Sequence, residues 1–197
     1  MIKTHIYKRK LRAVYLQATD SEIQYGKEWY QLAYSRLAGL HENFGYTCAV
    51  CAILSPQKDW DLNLFETETY FKQGNWHGLT LNYNQKEKLS LLKSKATVKE
   101  FAKVVYGKNA VKTRDFFYAL YYGTGKIPVI DRHMYGACGF DPNKARTDKR
   151  TREIKRAIVE LSKEYGIGAG KFQAIVWVAY RESILGNKRH ENNNIPF

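Results

Sequence analysis

Apolar positions recur along most of this chain at the three-to-four-residue spacing of helices, not at the alternation of strands. Ser21 followed by Glu22 opens a segment over 21–40, with Ile23, Trp29, Leu32, Ala33 and Leu37 among its apolar positions. Asn43 is placed to cap a helix through 46–54. Pro56 disfavours helix at the residue before it, so Ser55-Pro56 ends that element. Asp59 can cap the next, where Trp60, Leu64, Phe65 and Phe71 keep helical spacing. Gly74-Asn75 and His77-Gly78 mark a loop. Short helices are predicted over 84–95 and 97–105, the second with Val98, Phe101, Ala102 and Val105 as its apolar stripe. Gly107-Lys108-Asn109 is a turn, and 113–122 is a strongly aromatic helix. The segment 123–128 reads as loop, 129–138 as helix, 139–146 as polar loop and 147–165 as amphipathic helix. After a glycine-rich break at 166–170, the very apolar segment 172–185 reads as a buried helix, and 190–197 as a loose tail. No repeat is present. Val129-Ile130 is too short a β signal to change the fold class, which is all-α.

At 197 residues the chain suits a single domain, here 1–189, with enough length for a sizeable core. No run of 18 apolar residues exists, so no membrane span is expected. Residues 1–12 are basic without an apolar segment or cleavage site, so no secretory signal is read and a cytoplasmic location is expected. Charge then sharpens the picture. Lysine and arginine number 32 against 19 acidic residues, a net charge of +13. Such an excess suits a polyanionic partner. A membrane surface would call for an amphipathic helix surplus to the core, and none is visible, so DNA or another nucleic acid is the favoured partner. Basic residues concentrate at 3–12, 86–103 and 144–156, where the plain alternative is a solvated helix face.

Three cysteines, Cys48, Cys51 and Cys138, suit a reducing compartment. Cys48-Ala-Val-Cys51 has metal or redox spacing, but it lies in the apolar stretch 47–54 with no second such pair and no nearby pair of histidines. It reads as small buried residues, and neither metal nor cofactor is expected.

Three segments carry candidate chemistry: Leu54-Ser55-Pro56-Gln57 running on to Trp60 and Asn63, Gly107-Lys108-Asn109-Ala110-Val111-Lys112-Thr113, and Pro128-Val129-Ile130-Asp131-Arg132-His133. The second is a tight turn entering a helix, where backbone N–H groups with Lys108, Lys112 and Arg114 would bind phosphate. Lys112, among aromatics, can serve as nucleophile or base, or can simply face solvent. Asp131 suits a helix cap and equally a catalytic anion in a cleft. His133 reads first as a satisfied structural donor. Lys171 follows the 166–170 glycines and can meet a DNA phosphate. Arg181, inside a mostly apolar helix, is expected to pair with a carboxylate, Asp131 being one candidate.

In order and spacing, these segments resemble the helix-hairpin-helix superfamily of DNA glycosylases, the endonuclease III-like enzymes, over about residues 44–182. There a Leu-Ser-x-Gln segment carries a glutamine that probes the duplex where a base is extruded, here Gln57. A lysine-threonine pair opens the second hairpin helix, here Lys112-Thr113, and an essential aspartate follows, here Asp131 before Arg132-His133. The similar C-terminal segment is 172–181. The resemblance implies two helical lobes flanking a cleft. It implies Asp131, Lys112 and His133 as catalytic residues, and Gln57, Lys108, Asn109, Thr113, Arg114, Arg132 and Lys171 as DNA contacts. The hairpin glycines are out of register, with Lys108 and Ala110 in their places, and the cysteines that ligate an iron–sulfur cluster in many relatives are missing. Pro56, Trp60 with Asn63, and Asp131-Arg132-His133 look closer to a divergent bacteriophage branch resembling glutamyl- and putrescinyl-thymine pyrophosphorylases.

Three functions stay open on this basis. A glycosylase, with or without lyase activity, would use Asp131 to stabilise the cationic sugar and Lys112 to attack it. A thymine-hypermodifying enzyme would displace diphosphate from a 5-substituted uracil in DNA, with a small amine as co-substrate and Lys112, Arg114 and Arg132 on the leaving group. A non-catalytic module would bind DNA and do no chemistry. Both enzymes need the base out of the stack, and Tyr121, Tyr122 and Trp60 are the candidates for its pocket. The oligomeric state is left open.

Overall fold

A computed structural model describes residues 4–107, 110–141 and 147–186. The fold is all-α, and no strand occurs among the described residues. The helices are α1 (Thr4–Gln17), α2 (Asp20–Leu37), α3 (Phe44–Leu54), α4 (Trp60–Gln73), α5 (Tyr83–Leu92), α6 (Val98–Tyr106), α7 (Val111–Tyr122), α8 (Arg132–Ala137), α9 (Asp148–Glu164) and α10 (Ala169–Ala179). A single π-helical turn, Tyr180–Ile184, continues α10. None of the described helices is long and apolar enough to cross a membrane. The chain divides into two compact units, Tyr30–Val129 and Met1–Trp29 with Ile130–Phe197.

The unit Tyr30–Val129 is built round α3. Its sequence, FGYTCAVCAIL, has no polar face, and a helix apolar all round has to lie inside. Every residue from Thr47 to Leu54 is buried, and α4, α5, α6 and α7 pack on it. Asn43 caps it as expected, Oδ1 accepting from Tyr46 N at 3.1 Å. A buried helix end leaves carbonyls that no water can satisfy. Here the Ser55 hydroxyl donates to Ala52 O at 2.9 Å, Ser55 N donates to Cys51 O at 3.1 Å, and Gln85 Nε2 donates to Ile53 O at 2.9 Å. Gln85 is itself held by a capping box with Asn82 that starts α5, and Thr97 with Glu100 forms a second box that starts α6. Asp59 caps α4 through Leu62 N at 2.9 Å. The helix predicted over 84–95 stops at Leu92, where Lys93 N turns back to Ser90 O.

In the other unit, α1 is an element that the basic segment at the start of the sequence concealed. Tyr7, Leu11 and Val14 keep the i, i+4, i+7 spacing of one face, and they are buried against α9 and α10. The flank of that face is cationic and meets acidic residues of α9: Lys8 pairs with Glu160 at 3.2 Å and Glu164 at 2.6 Å, and Arg12 pairs with Glu164. Part of the basic cluster at 3–12 is therefore partnered within the fold. The core continues through Met134, Ile154, Ile158, Leu161, Phe172 and Val176. Thr19 and Glu22 open α2 reciprocally, Thr19 N donating to Glu22 Oε2 at 2.7 Å and Glu22 N to Thr19 Oγ1 at 3.2 Å. Glu22 is buried and also accepts from the Ser183 hydroxyl at 2.6 Å.

Two boundaries in this unit depart from expectation. The helix predicted over 129–138 starts only at Arg132, because Asp131 caps it. The helix predicted over 172–185 is α-helical only to Ala179 and finishes in the π-turn. The tail at 190–197 and the cationic residues 142–146 lie outside the described residues.

Gly26 of α2 sits against α10, where an added Cβ would lie 2.5 Å from the Ile175 backbone Cα. At an open helix position Gly→Ala stabilises. Here the obstacle is backbone, so Gly26→Ala is expected to destabilise by about 1–3 kcal/mol, the range for overpacking, measured as a lowered urea midpoint at unchanged slope.

Candidate functional site

The first and second motif segments meet within the unit Tyr30–Val129. Lys112, on the first turn of α7, donates from Nζ to the Ser55 hydroxyl at 3.3 Å, and its ammonium lies 5.2 Å from the Phe116 ring centroid. Ser55 belongs to the buried end of α3, so α3 burial positions the hydroxyl that meets Lys112. Beyond it the chain reverses sharply. Gln57 has φ +65°, the one positive-φ non-glycine residue among those described, and Pro56 and Gln57 are exposed. The turn is tied down on its far side by a buried ion pair between Lys58 and Glu66. Asn63 is buried, with Nδ2 donating to Cys51 Sγ at 3.3 Å and Oδ1 without a hydrogen-bond partner among the described residues.

Cys48 and Cys51 are free and fully buried. Burial raises both thiols, Cys51 to about 12, with Thr67, Asn63 and Lys112 pulling the other way. That environment suits packing rather than redox chemistry. Among the described residues no group of three or more His, Cys, Asp or Glu is placed to hold a metal ion.

Other expected residues of this unit scatter. Thr113 is 9% exposed and sits inside the fold, which withdraws its side chain from solvent. Arg114 stacks on Tyr106 at 4.8 Å and pairs with the buried Asp115 at 3.4 Å. Tyr121 is half-buried between Phe44 and Phe117, while Tyr122 is exposed and stacks on Tyr118 at 6.1 Å between centroids. Trp60 is half-buried at the start of α4. Lys108 and Asn109 lie outside the described residues.

The third segment lies in the other unit, where it builds a compact polar cluster. Asp131 Oδ1 accepts from His133 N and Met134 N, both at 3.0 Å, and Oδ2 accepts from the Trp177 indole Nε1 at 2.9 Å. The carboxylate therefore caps α8 and is also anchored to α10, with three N–H donors setting its orientation. Trp177 is the hub of the cluster. His133 approaches its edge at 6.2 Å and 86°, and Trp29 approaches at 6.0 Å and 62°. Arg181 lies over its face at 4.5 Å. Burial lowers the His133 pKa below 6.5, the Asp131 carboxylate opposes this, and Arg132 and Arg181 add to the lowering. Exposed Arg132 donates from Nε to His133 Nε2 at 3.4 Å, an arrangement that needs a neutral imidazole. Lys171 is half-buried on the first turn of α10.

Trp177 and Arg181 are the residues that motif spacing undervalued. Asp131 takes the indole as its partner, and Arg181 stacks on that indole. Their spacing of four residues, which places both on one helix face, was the available signal.

A family model described as a family of unknown function, DUF7178, matches residues 1–184. The chain belongs to that family. No curated protein matches the chain, and no solved structure does. The Asp131 cluster and the Ser55–Lys112 contact both fall inside the span shared with DUF7178.

Asp131→Ala removes the cap and leaves the indole N–H without its acceptor. It is expected to destabilise by about 2–3 kcal/mol, read as a shift in the urea unfolding midpoint. His133 supplies a pH test. Its folded pKa is lowered, so below about pH 6.5 the unfolded chain binds the proton more readily and stability falls as pH falls. His133→Gln should lose less stability than the native protein between about pH 7.5 and 5.5, measured as the difference between paired denaturation curves.

Proposed function

We propose that the protein is a DNA-base-directed enzyme with a helix-hairpin-helix glycosylase-like fold, which binds DNA, extrudes a base and cleaves its N-glycosidic bond. The observation that carries this reading is the Asp131 carboxylate, held in one orientation by two backbone N–H groups and the Trp177 indole. Breaking the glycosidic bond develops positive charge on the sugar, and a pre-oriented anion stabilises that charge without first having to reorganise. A carboxylate whose lone pairs already serve three donors is better suited to this electrostatic role than to shuttling a proton. His133, neutral and half-buried beside it, is the group that can exchange a proton with a water or a leaving base. The net charge of +13 supplies attraction to the phosphate backbone. The resemblance to bifunctional glycosylases assigns Lys112 a covalent step, and its ammonium is oriented by the Ser55 hydroxyl.

A second reading, a DNA-binding module without chemistry, is favoured by one feature: Asp131 Oδ1 is already occupied as the α8 cap. The two readings separate on one assay. The protein is incubated with duplexes carrying uracil, oxidised, alkylated or 5-hydroxymethylated bases, and free base is measured by mass spectrometry. Release of one of these bases is expected, with Asp131→Asn slowing it by about a hundredfold or more while DNA binding persists. Borohydride should trap the native protein on that duplex and fail to trap Lys112→Ala. Base release unaffected by Asp131→Asn, or none from any duplex despite salt-sensitive binding, would overturn the enzyme reading.

A further inference from the structure

Arg181 is a guanidinium that the fold has positioned, with its Nε lacking an acceptor among the described residues. It stands on the π-helical turn, a departure from α geometry that is frequent at functional sites. The turn closes with Leu185 N donating to Tyr180 O at 3.0 Å. Tyr180 packs against α8 where Gly136 has no side chain, and this contact seats the turn on the same helix that carries His133. Stacking over Trp177 at 4.5 Å sets the plane of the guanidinium. Its Nε is buried with no hydrogen-bond partner among the described residues. A desolvated guanidinium donor without an acceptor is costly, and an unplaced ion or water is one of the partners that account for such a donor in native proteins.

The nearby carboxylate does not supply it. Asp131 Oδ2 receives the indole and Oδ1 receives two backbone donors, and no described carboxylate forms an ion pair with Arg181. Arg132 is exposed beside His133, and both guanidinium charges are felt by that imidazole. Arg132 bonds the imidazole and Arg181 stacks on the indole whose edge that imidazole meets, beside a carboxylate whose oxygens are committed elsewhere.

We propose that Arg181, together with Arg132 and His133, forms a phosphate-binding subsite on this unit. The planar fork of Arg181 would take two oxygens of one phosphate, with Arg132 and the imidazole N–H on the others. The phosphate comes either from a DNA phosphodiester or from free phosphate or diphosphate. The subsite deepens the DNA reading above and rests on it for the source of the phosphate, but not for any chemistry on the base.

The full chain is titrated with inorganic phosphate, inorganic diphosphate and a short undamaged duplex, following the Trp177 indole N–H and His133 imidazole resonances by NMR. These are assigned with Trp177→Phe and His133→Gln. Saturable shifts of both signals are expected, with affinity falling about tenfold or more in Arg181→Met and less in Arg181→Lys. Both variants are first checked for an intact fold by their backbone amide spectrum. If the source is DNA, Arg181→Met also reduces the slope of log affinity against log salt by about one. If the source is free diphosphate, the slope is unchanged and the diphosphate titration alone is lost. Shifts absent with all three probes, or titrations identical in folded Arg181→Met or Arg181→Lys, would overturn the subsite. Phosphate binding without base release would leave it standing and reject only the base chemistry.

Discussion

Burial of α3 is the constraint on which the unit Tyr30–Val129 depends. A helix with cysteine, alanine, valine, isoleucine and leucine on every side cannot face water on any of them, so four neighbouring helices pack around it. Its C-terminal carbonyls then lie where no solvent can reach, and the chain provides side-chain donors from Ser55 and Gln85. The same requirement positions a candidate functional group: the Ser55 hydroxyl that serves the helix end also receives the Lys112 ammonium. The chain must then leave this buried end abruptly. It does so through Pro56 and the left-handed Gln57, with Lys58 drawn back into a buried pair with Glu66. Left-handed backbone at a residue other than glycine, asparagine or aspartate is uncommon, and the contacts on both sides are what sustain it.

In the other unit the organising side chain is the Trp177 indole. Its Nε1–H anchors Asp131, its face carries Arg181, and its edges meet His133 and Trp29. Capping and site-building are here one interaction rather than two alternatives. The carboxylate that starts α8 is fixed more firmly because a second helix also holds it, and this third donor distinguishes it from the ordinary caps at Asp59 and Asn43. The indole also explains why Arg181 and Asp131 are not an ion pair. The ring's N–H anchors the anion and its face seats the cation, while the carboxylate's oxygens are taken by three N–H donors.

The net charge of +13 now divides into parts with different physical standing. Lys8 and Arg12 are committed to Glu160 and Glu164, exposed pairs of small energetic worth that nonetheless occupy those cations. Arg114 is engaged with Tyr106 and Asp115. Arg132 and Arg181 cluster about a half-buried imidazole. Clusters of basic residues in a sequence do not separate these cases, because a carboxylate one helix away in space can lie 150 residues away in the chain, as Glu164 lies 152 from Arg12.

Local chemistry was readable where the deciding atoms are close in sequence. The all-α class, the caps at Asn43 and Asp59, the break at Pro56 and the interior placement of the Cys48–Cys51 pair all follow from spacing and side-chain type within a few residues. α1 was concealed because its three buried residues are outnumbered by cations whose partners sit on α9. The start of α8 was misplaced although its deciding bonds, from His133 N and Met134 N to Asp131, are local, whereas the end of α10 lies in a π-turn whose Tyr180 packs on α8 at Gly136. Residue types and spacing alone could nominate Lys112, Asp131 and His133, but neither the Ser55 hydroxyl nor Arg181 as part of a site. Whether each is partnered, buried or stacked was decided only by tertiary structure, since hydrogen-bond and charge energies depend on the atoms within a few ångströms, and the fold chooses those.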